Sequence, residues 1–242
     1  PNNPGRIYFC GKGLDYPFSL NWILRMKLMN VIRESQDQMK AMIVRLNELI
    51  KPIDPSLCLS YKEIKKEFAK DLVRERHLAK ALRSMVLRSY NNPGEQLKFI
   101  ESLYGNKKAK ASISDQAAFE NEIRSNLLKA GGPAFVEENE RSFLDLKKLI
   151  TIINKAGGIP CYPVLLDDAS GKYTEFEADI EKLHESLSAL GIGCIELIPG
   201  RNDLSILRTF CEFFDKKEFI ITFGTEHNTP ELIPLTITAR GK

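Results

Sequence analysis

The sequence predicts an α/β protein whose second half contains parallel strands. Three short apolar runs rich in β-branched and aromatic residues, typical of buried strands, lie at residues 159–166, 192–198 and 219–223. The segments between them are long enough for helices and carry apolar residues at helical spacing. Strands joined by such helices pair in parallel through right-handed crossovers. A mainly helical pattern fills the middle of the chain.

Composition sets limits on the class of protein. The chain has 242 residues, of which 43% are hydrophobic, so it can bury a substantial core. Its net charge of +3 is nearly balanced, and no apolar run reaches the ~18 residues of a membrane span, so neither nucleic acid nor a membrane is an expected partner. The five cysteines are scattered, which favours reduced thiols in a cytoplasmic protein. The chain does not begin with methionine, and we expect it to be a piece of a longer protein.

The first half begins with a strand and continues with helices. Residues 6–10 form a short apolar run bounded by glycines, which predicts a strand. Apolar residues at spacings of three and four then predict one amphipathic helix from about Leu20 to Ile50, ended by the prolines that follow it. Ser60 and Glu63 have the capping-box pattern of a helix start. Two more helices are predicted. One runs from about residue 74 to residue 90, and a shorter one follows it and ends at residue 104.

Charged residues on these helices alternate in sign. Lysines and arginines are frequent between residues 62 and 88, but acidic residues are interleaved with them. This pattern is typical of a solvated helix face with ion pairs between neighbouring turns. It therefore argues against a nucleic-acid-binding surface.

The second half repeats helix and strand. A helix beginning at residues 142–145 ends at Gly157 and Gly158, which supply a left-handed backbone before the next strand. Residues 174–177 have the pattern of a cap for a helix that runs to Leu190. A third helix from about Leu204 leads to the last strand.

Polar residues follow each of these three strands. Because parallel strands end at one edge of a sheet, we expect these side chains to meet there. They are Asp167, Asp168, Arg201, Asn202, Glu226 and His227. Carboxylates and imidazole hold metal cations and arginine binds phosphate, so this set predicts a metal-assisted phosphate site.

Several segments resemble a known family when taken in order. They are 6–15, 74–82, 131–136, 156–160, 189–196 and 224–227, with the sequences RIYFCGKGLD, RERHLAKAL, GGPAFV, AGGIP, ALGIGCIE and GTEH. In this order they are similar to the later part of the PHP family, the polymerase and histidinol phosphatase phosphoesterases. The resemblance implies a distorted (β/α)7 TIM-like barrel with a helical insertion. It divides the chain into barrel residues 1–18, the insertion at 19–136 and βα units at 137–242.

The sequence departs from the family pattern at several ligand positions. The chain has three histidines, His77, His184 and His227, and lacks the His-x-His that follows the first strand of the family. Tyr8 stands where the family has another histidine, and residues 162–164 replace a further one. The closing Asp-x-His of the family is represented by Thr225, Glu226 and His227. Either an N-terminal portion is missing or the protein is a divergent member.

The residues at the strand ends and the resemblance together suggest roles. His227, Glu226 and His77 would be catalytic, and Arg201, Asn202 and Arg76 would bind substrate. Metal ligands would be His227, Glu226, Asp167 and Asp168, around divalent ions of Mn, Mg, Zn or Fe. The substrate would be a phosphorylated small molecule or nucleotide.

An alternative is a catalytically degenerate barrel that serves as a binding module. The long helix from Leu20 to Ile50 would then be its partner surface. A partial barrel also exposes strand edges, so we expect either a homodimer or a helical segment that covers the edge.

Overall fold

A computed structural model describes residues 8–167, 170–225 and 235–240. The chain divides into two compact units. Pro1–Leu24 and Asp145–Lys242 form the first, which we call the sheet unit. Arg25–Leu144 forms the second, the helical unit.

The described elements alternate as the sequence pattern predicts in the second half of the chain. In chain order they are β1 (Cys10–Lys12), α1 (Trp22–Ile50), α2 (Tyr61–Phe68), α3 (Glu75–Ser89), α4 (Pro93–Leu103), α5 (Gln116–Ile123), a π-helical turn (Arg124–Leu128), a 3₁₀ turn (Glu140–Ser142), α6 (Leu146–Lys155), β2 (Ile159–Pro163), α7 (Ile180–Ala189), β3 (Cys194–Leu197), a 3₁₀ turn (Pro199–Arg201), α8 (Leu204–Lys216) and β4 (Ile220–Phe223). None of the helices in these described ranges is long and apolar enough to cross a membrane.

The sheet unit contains a mixed sheet with the strand order β1-β2-β3-β4. Strands β2, β3 and β4 are parallel, as predicted from their helical connections. Strand β1 is antiparallel to β2, with Cys10 opposite Cys161. Cys194 lies opposite Cys161 on the next strand, so three thiols form a row across the sheet.

The prediction of a TIM-like barrel, or of a part of one, is wrong for this structure. The described strands form an open sheet of four strands, in which β1 and β4 are the two ends of the strand order. A (β/α) barrel needs parallel strands that tilt and close on themselves. The short antiparallel β1 instead forms an edge of the sheet, and no described strand joins it to β4.

One face of the sheet packs against helices. Ile195 and Leu197 of β3 are fully buried and share a core with Leu187 of α7 and Phe214 of α8. The intervening residue Glu196 points to the opposite face, as period-two alternation requires. The core of the sheet unit therefore lies on the α7 and α8 side.

The helical unit has a separate core. Residues of α1 that enter it are Met39, Met42, Ile43, Leu46 and Ile50. The buried Gln36 connects α1 to the loop before α3, because its amide donates to the carbonyl of Val73 and accepts from the Val73 amide. Towards the start of α1, Trp22, Met26 and Met29 are exposed. The apolar face predicted for the whole helix is thus buried in its second half.

Helix α2 begins where the sequence predicts, directly after Ser60, although the Ser60 side chain makes no cap hydrogen bond. Another predicted helix start differs from the observed one. Helix α7 begins at Ile180 rather than near residue 174, and Asp179 caps it by accepting from the amide of Lys182 at 3.0 Å. Thr174 does not cap the helix, because its hydroxyl donates to the carboxylate of Glu177. The cap is instead the carboxylate of Asp179, further along the chain.

Candidate functional site at the carboxyl edge of the sheet

The carboxyl ends of β2 and β3 bring two predicted residues together. Asp167 follows β2, and Asn202 follows β3 after one 3₁₀ turn. The amide nitrogen of Asn202 donates to the carbonyl of Leu165 at 2.9 Å and to both the carbonyl and the carboxylate of Asp167 at 3.1 Å. We call this side of the sheet the carboxyl edge.

The carboxylate of Asp167 is completely buried and already has several donors. The guanidinium of Arg240 forms an ion pair with it. The amide N–H of Asp203 also reaches it at 3.3 Å, in addition to Asn202. A carboxylate held in this way stabilises the edge, and its oxygen atoms have little capacity left for a metal ion.

Asn202 is fully buried, yet its side-chain oxygen has no hydrogen-bond partner within the described part of the chain. Burying an acceptor without a donor costs about 1–3 kcal/mol. The backbone carbonyl of the same residue accepts from the Arg240 amide at 2.8 Å. The orientation of Asn202 is therefore determined by its amide nitrogen and by its backbone.

Arg201 lies at the same edge and is exposed. It ends the 3₁₀ turn Pro199–Arg201, and its carbonyl accepts from the Arg240 guanidinium at 2.5 Å. Arg240 therefore holds the backbone of Arg201 and the side chain of Asp167. The exposed position of Arg201 is compatible with a contact to an anionic ligand.

His77 and Arg76 belong to the helical unit, not to the sheet unit. His77 lies in the first turn of α3, where its Nδ1 atom accepts from the backbone N–H of Arg74 at 3.1 Å. Burial lowers the pKa of His77, and the nearby cations of Arg76, Lys80 and Arg74 lower it further. A neutral imidazole suits this position, because Nδ1 must be unprotonated to accept.

Three predicted site residues, Asp168, Glu226 and His227, lie outside the described residues. Strand β4 ends at Phe223, so Glu226 and His227 follow it closely in the sequence. The predicted metal and catalytic roles of these residues stay predictions.

Sequence reasoning missed a buried carboxylate that organises the loop after β2. Glu177 accepts from the amides of Leu165 and Leu166 at 2.9 and 2.8 Å, and from the hydroxyl of Thr174 at 2.7 Å. The Tyr162 hydroxyl also donates to it at 3.2 Å, and burial together with this carboxylate raises the pKa of Tyr162. The spacing of Thr174 and Glu177 is that of a helix cap, so the sequence pattern predicted a cap and not the contacts of Glu177 with the loop after β2.

An ion pair on the other face of the sheet was also missed. The Lys12 ammonium contacts the carboxylate of Glu196, a charged residue within strand β3. Lys12 lies opposite Ile159 and Glu196 opposite Pro163, so the lysine stem passes the position of Cys161. Burial and the neighbouring Cys194 raise the pKa of Cys161 to about 12, which keeps this thiol protonated and unreactive.

The described residues do not by themselves form a metal centre. Within the described ranges, no group of three or more histidine, cysteine, aspartate or glutamate side chains is arranged to hold a metal ion. Asp167 is already paired with Arg240. A metal site at this edge would need ligands from Asp168 or from the residues that follow β4.

No protein-family model matches the chain, and no curated protein matches it significantly.

Proposed function

We propose that the carboxyl edge of the sheet is a phosphate-ester site and that the protein is a metal-dependent phosphoesterase, a divergent relative of the PHP family. The observation that supports this proposal best is the direct contact of Asn202 with Asp167, beside the exposed Arg201. These residues follow different parallel strands, and that edge is where α/β proteins bind ligands. This chemistry does not require a barrel.

The residues of the edge have separate roles in this proposal. The guanidinium of Arg201 binds the phosphate group, since its planar donors match phosphate oxygens. Arg240 and Asp167 keep the backbone beneath it in place. His227, Glu226 and Asp168 are the ligand types that would hold one or more divalent ions of Mn, Mg, Zn or Fe. Such an ion supplies an activated water and neutralises phosphate charge.

The proposed substrate is a phosphorylated small molecule or a nucleotide. The cytoplasm is the proposed location, because the chain has five cysteines and all of them are free thiols.

A second candidate is a binding module that has lost catalysis. The observation that favours it is the ion pair of Asp167 with Arg240, which occupies a carboxylate predicted to bind metal. In this case the edge binds a phosphate ester without hydrolysing it.

Metal content distinguishes the two candidates. Elemental analysis of the purified chain would be run beside His227→Ala and a matched control, His184→Phe. His184 packs against the rings of Phe213, Phe214 and Phe219, so phenylalanine removes an imidazole while keeping an aromatic ring there. A phosphoesterase predicts bound metal in the wild type and the control, and its loss in His227→Ala.

The same three proteins would be assayed for phosphate release from a panel of phosphate monoesters with added Mn or Zn. Hydrolysis that His227→Ala abolishes supports the phosphoesterase. Phosphate-ester binding with neither metal nor hydrolysis supports the binding module.

A further inference from the structure

A groove of about 310 Å³ opens beside the carboxyl edge, where α7 and α8 begin. Its apolar surface is formed by Leu166, Ile180, Ile206 and Phe210, and Tyr173 borders it. This volume is at the lower end of the range for small-molecule sites. The groove can therefore take a single ring with a short side chain.

Two hydroxyl groups that line the groove, those of Ser205 and Thr209, can accept hydrogen bonds but have already used their protons. Ser205 donates its hydroxyl to Asp203 at 2.6 Å, and Thr209 donates its hydroxyl to the Ser205 carbonyl at 3.0 Å. Each oxygen still has a lone pair for a ligand. A ligand that carries N–H or O–H donors fits these two side chains.

The charges around the groove favour a cation. Glu177 lines it, and the donors that satisfy its carboxylate are backbone amides and hydroxyls, which do not neutralise its charge. Among the described residues that line the groove, none is a lysine, an arginine or a histidine. Arg240 is paired with Asp167.

The helix ends at the groove do not offer an anion site. An uncapped helix N-terminus attracts anions through its free N–H groups. Here Asp179 caps α7 and Asp203 caps α8, each accepting from amides of the first turn. These two carboxylates add negative charge at the place where an anion would otherwise bind.

We propose that this groove binds a small amphiphilic amine. Its ring or alkyl chain lies on the apolar surface. Its ammonium group lies at Ser205 and Thr209, near the carboxylates of Glu177, Asp179 and Asp203. The site is separate from the proposed phosphate site and does not depend on metal.

The test is saturation-transfer NMR on the full chain at low ionic strength, without metal or phosphate. Three probes share a phenylethyl body: 2-phenylethylammonium, neutral 2-phenylethanol and anionic 3-phenylpropanoate. We expect the amine to bind at least about fivefold more tightly than the carboxylate, with the alcohol between them, and added salt to weaken the amine.

Variants locate the binding. Thr209→Phe fills the groove, and Thr209→Lys places a cation in it, so both should abolish amine binding. The matched control is Thr151→Phe on α6, an exposed threonine whose hydroxyl likewise donates to the carbonyl four residues earlier. Loss of binding in the Thr209 variants alone supports the proposal. Equal binding of amine and carboxylate, absence of amine binding, or unchanged binding in Thr209→Lys would overturn it, and none of these results bears on phosphate-ester hydrolysis.

Discussion

The hydrogen bond from the Arg74 amide to Nδ1 of His77 gives this histidine a structural role. Replacing it with alanine leaves the amide without its partner, so we expect His77→Ala to lower the free energy of unfolding by about 1 kcal/mol. His77→Gln should keep most of that stability, since glutamine at the third helical position can reach back to the same amide. Urea denaturation measures both. If the two variants are equally stable, the bond has no such role.

The burial of His77 among neighbouring cations predicts a pH dependence. The folded pKa of His77 is depressed below its ordinary value of 6.5, so the unfolded chain takes up the proton first as the pH falls. Its contribution to stability is therefore complete above pH 6.5 and is lost as the pH drops through the folded pKa. Denaturation curves of the wild type between pH 7 and 5 should show this loss, and those of His77→Gln should show less of it. An identical pH dependence in both proteins would contradict the assignment.

Asp167 should be required for stability even without ligand. Asp167→Ala leaves the amide of Asn202 and the guanidinium of Arg240 without their common acceptor. Removing one partner of a fully buried ion pair costs about 3–5 kcal/mol, and the loss here should lie at the lower end because the Arg240 side chain is 33% exposed. We expect a loss of this size in the metal-free protein, measured by thermal and urea unfolding. An alanine variant as stable as the wild type would indicate instead that the carboxylate is kept for a ligand.

At the level of single elements, the turn after α5 depends on a glycine. A Cβ atom at Gly132 would lie 2.6 Å from the carbonyl carbon and oxygen of Leu127, in the π-helical turn. Backbone atoms cannot move aside easily, so Gly132→Ala should destabilise the protein by about 2 kcal/mol. Gly193→Ala is the control, because no atom lies within 4 Å of a Cβ there. Equal melting temperatures for the two variants would show that the turn can adjust.

The sequence predicted elements well where local signals agreed. Helices α6 and α8 each have an aspartate at the start and an apolar face, and the Gly157 turn leads directly into β2. The prediction failed where the local structure depends on contacts between residues that are distant in the sequence. Thr174 and Glu177 have a cap pattern, but Glu177 bonds to the loop after β2 instead. The π-helical turn has no comparable local signal, because it depends on how its backbone packs.

At the carboxyl edge, the contact of Asp167 with Asn202 follows from parallel strand order, which the spacing of strands and helices predicts. The roles of Arg240 and Lys12 do not follow from it. Each pairs with a carboxylate distant in sequence, Arg240 with Asp167 and Lys12 with Glu196. A single sequence without the fold cannot show which of its 35 basic residues makes such a contact.

At the scale of the whole molecule, the barrel prediction failed because similarity in the order of motifs does not determine how strands close. The open sheet leaves β4 paired only with β3 among the described strands, and its Ile220 and Phe223 are about half exposed. Exposed apolar strand edges tend to pair with another chain.

We therefore expect the protein to be a homodimer in sedimentation velocity. Ile220→Lys places a charge on β4 and should shift the equilibrium to monomer. Val44→Lys is the control, since Val44 is exposed to a similar degree on α1. A wild type that remains monomeric at the highest concentration would contradict this expectation.

The central claim is that the carboxyl edge binds phosphate esters, and calorimetric titration tests it most directly. A sugar phosphate and a nucleoside monophosphate would be titrated into the wild type, Arg201→Gln and the control Arg208→Gln, an exposed arginine on α8. The claim predicts saturable binding that weakens about tenfold or more in Arg201→Gln and is unchanged in the control. No binding, or equal affinity in all three proteins, would contradict it.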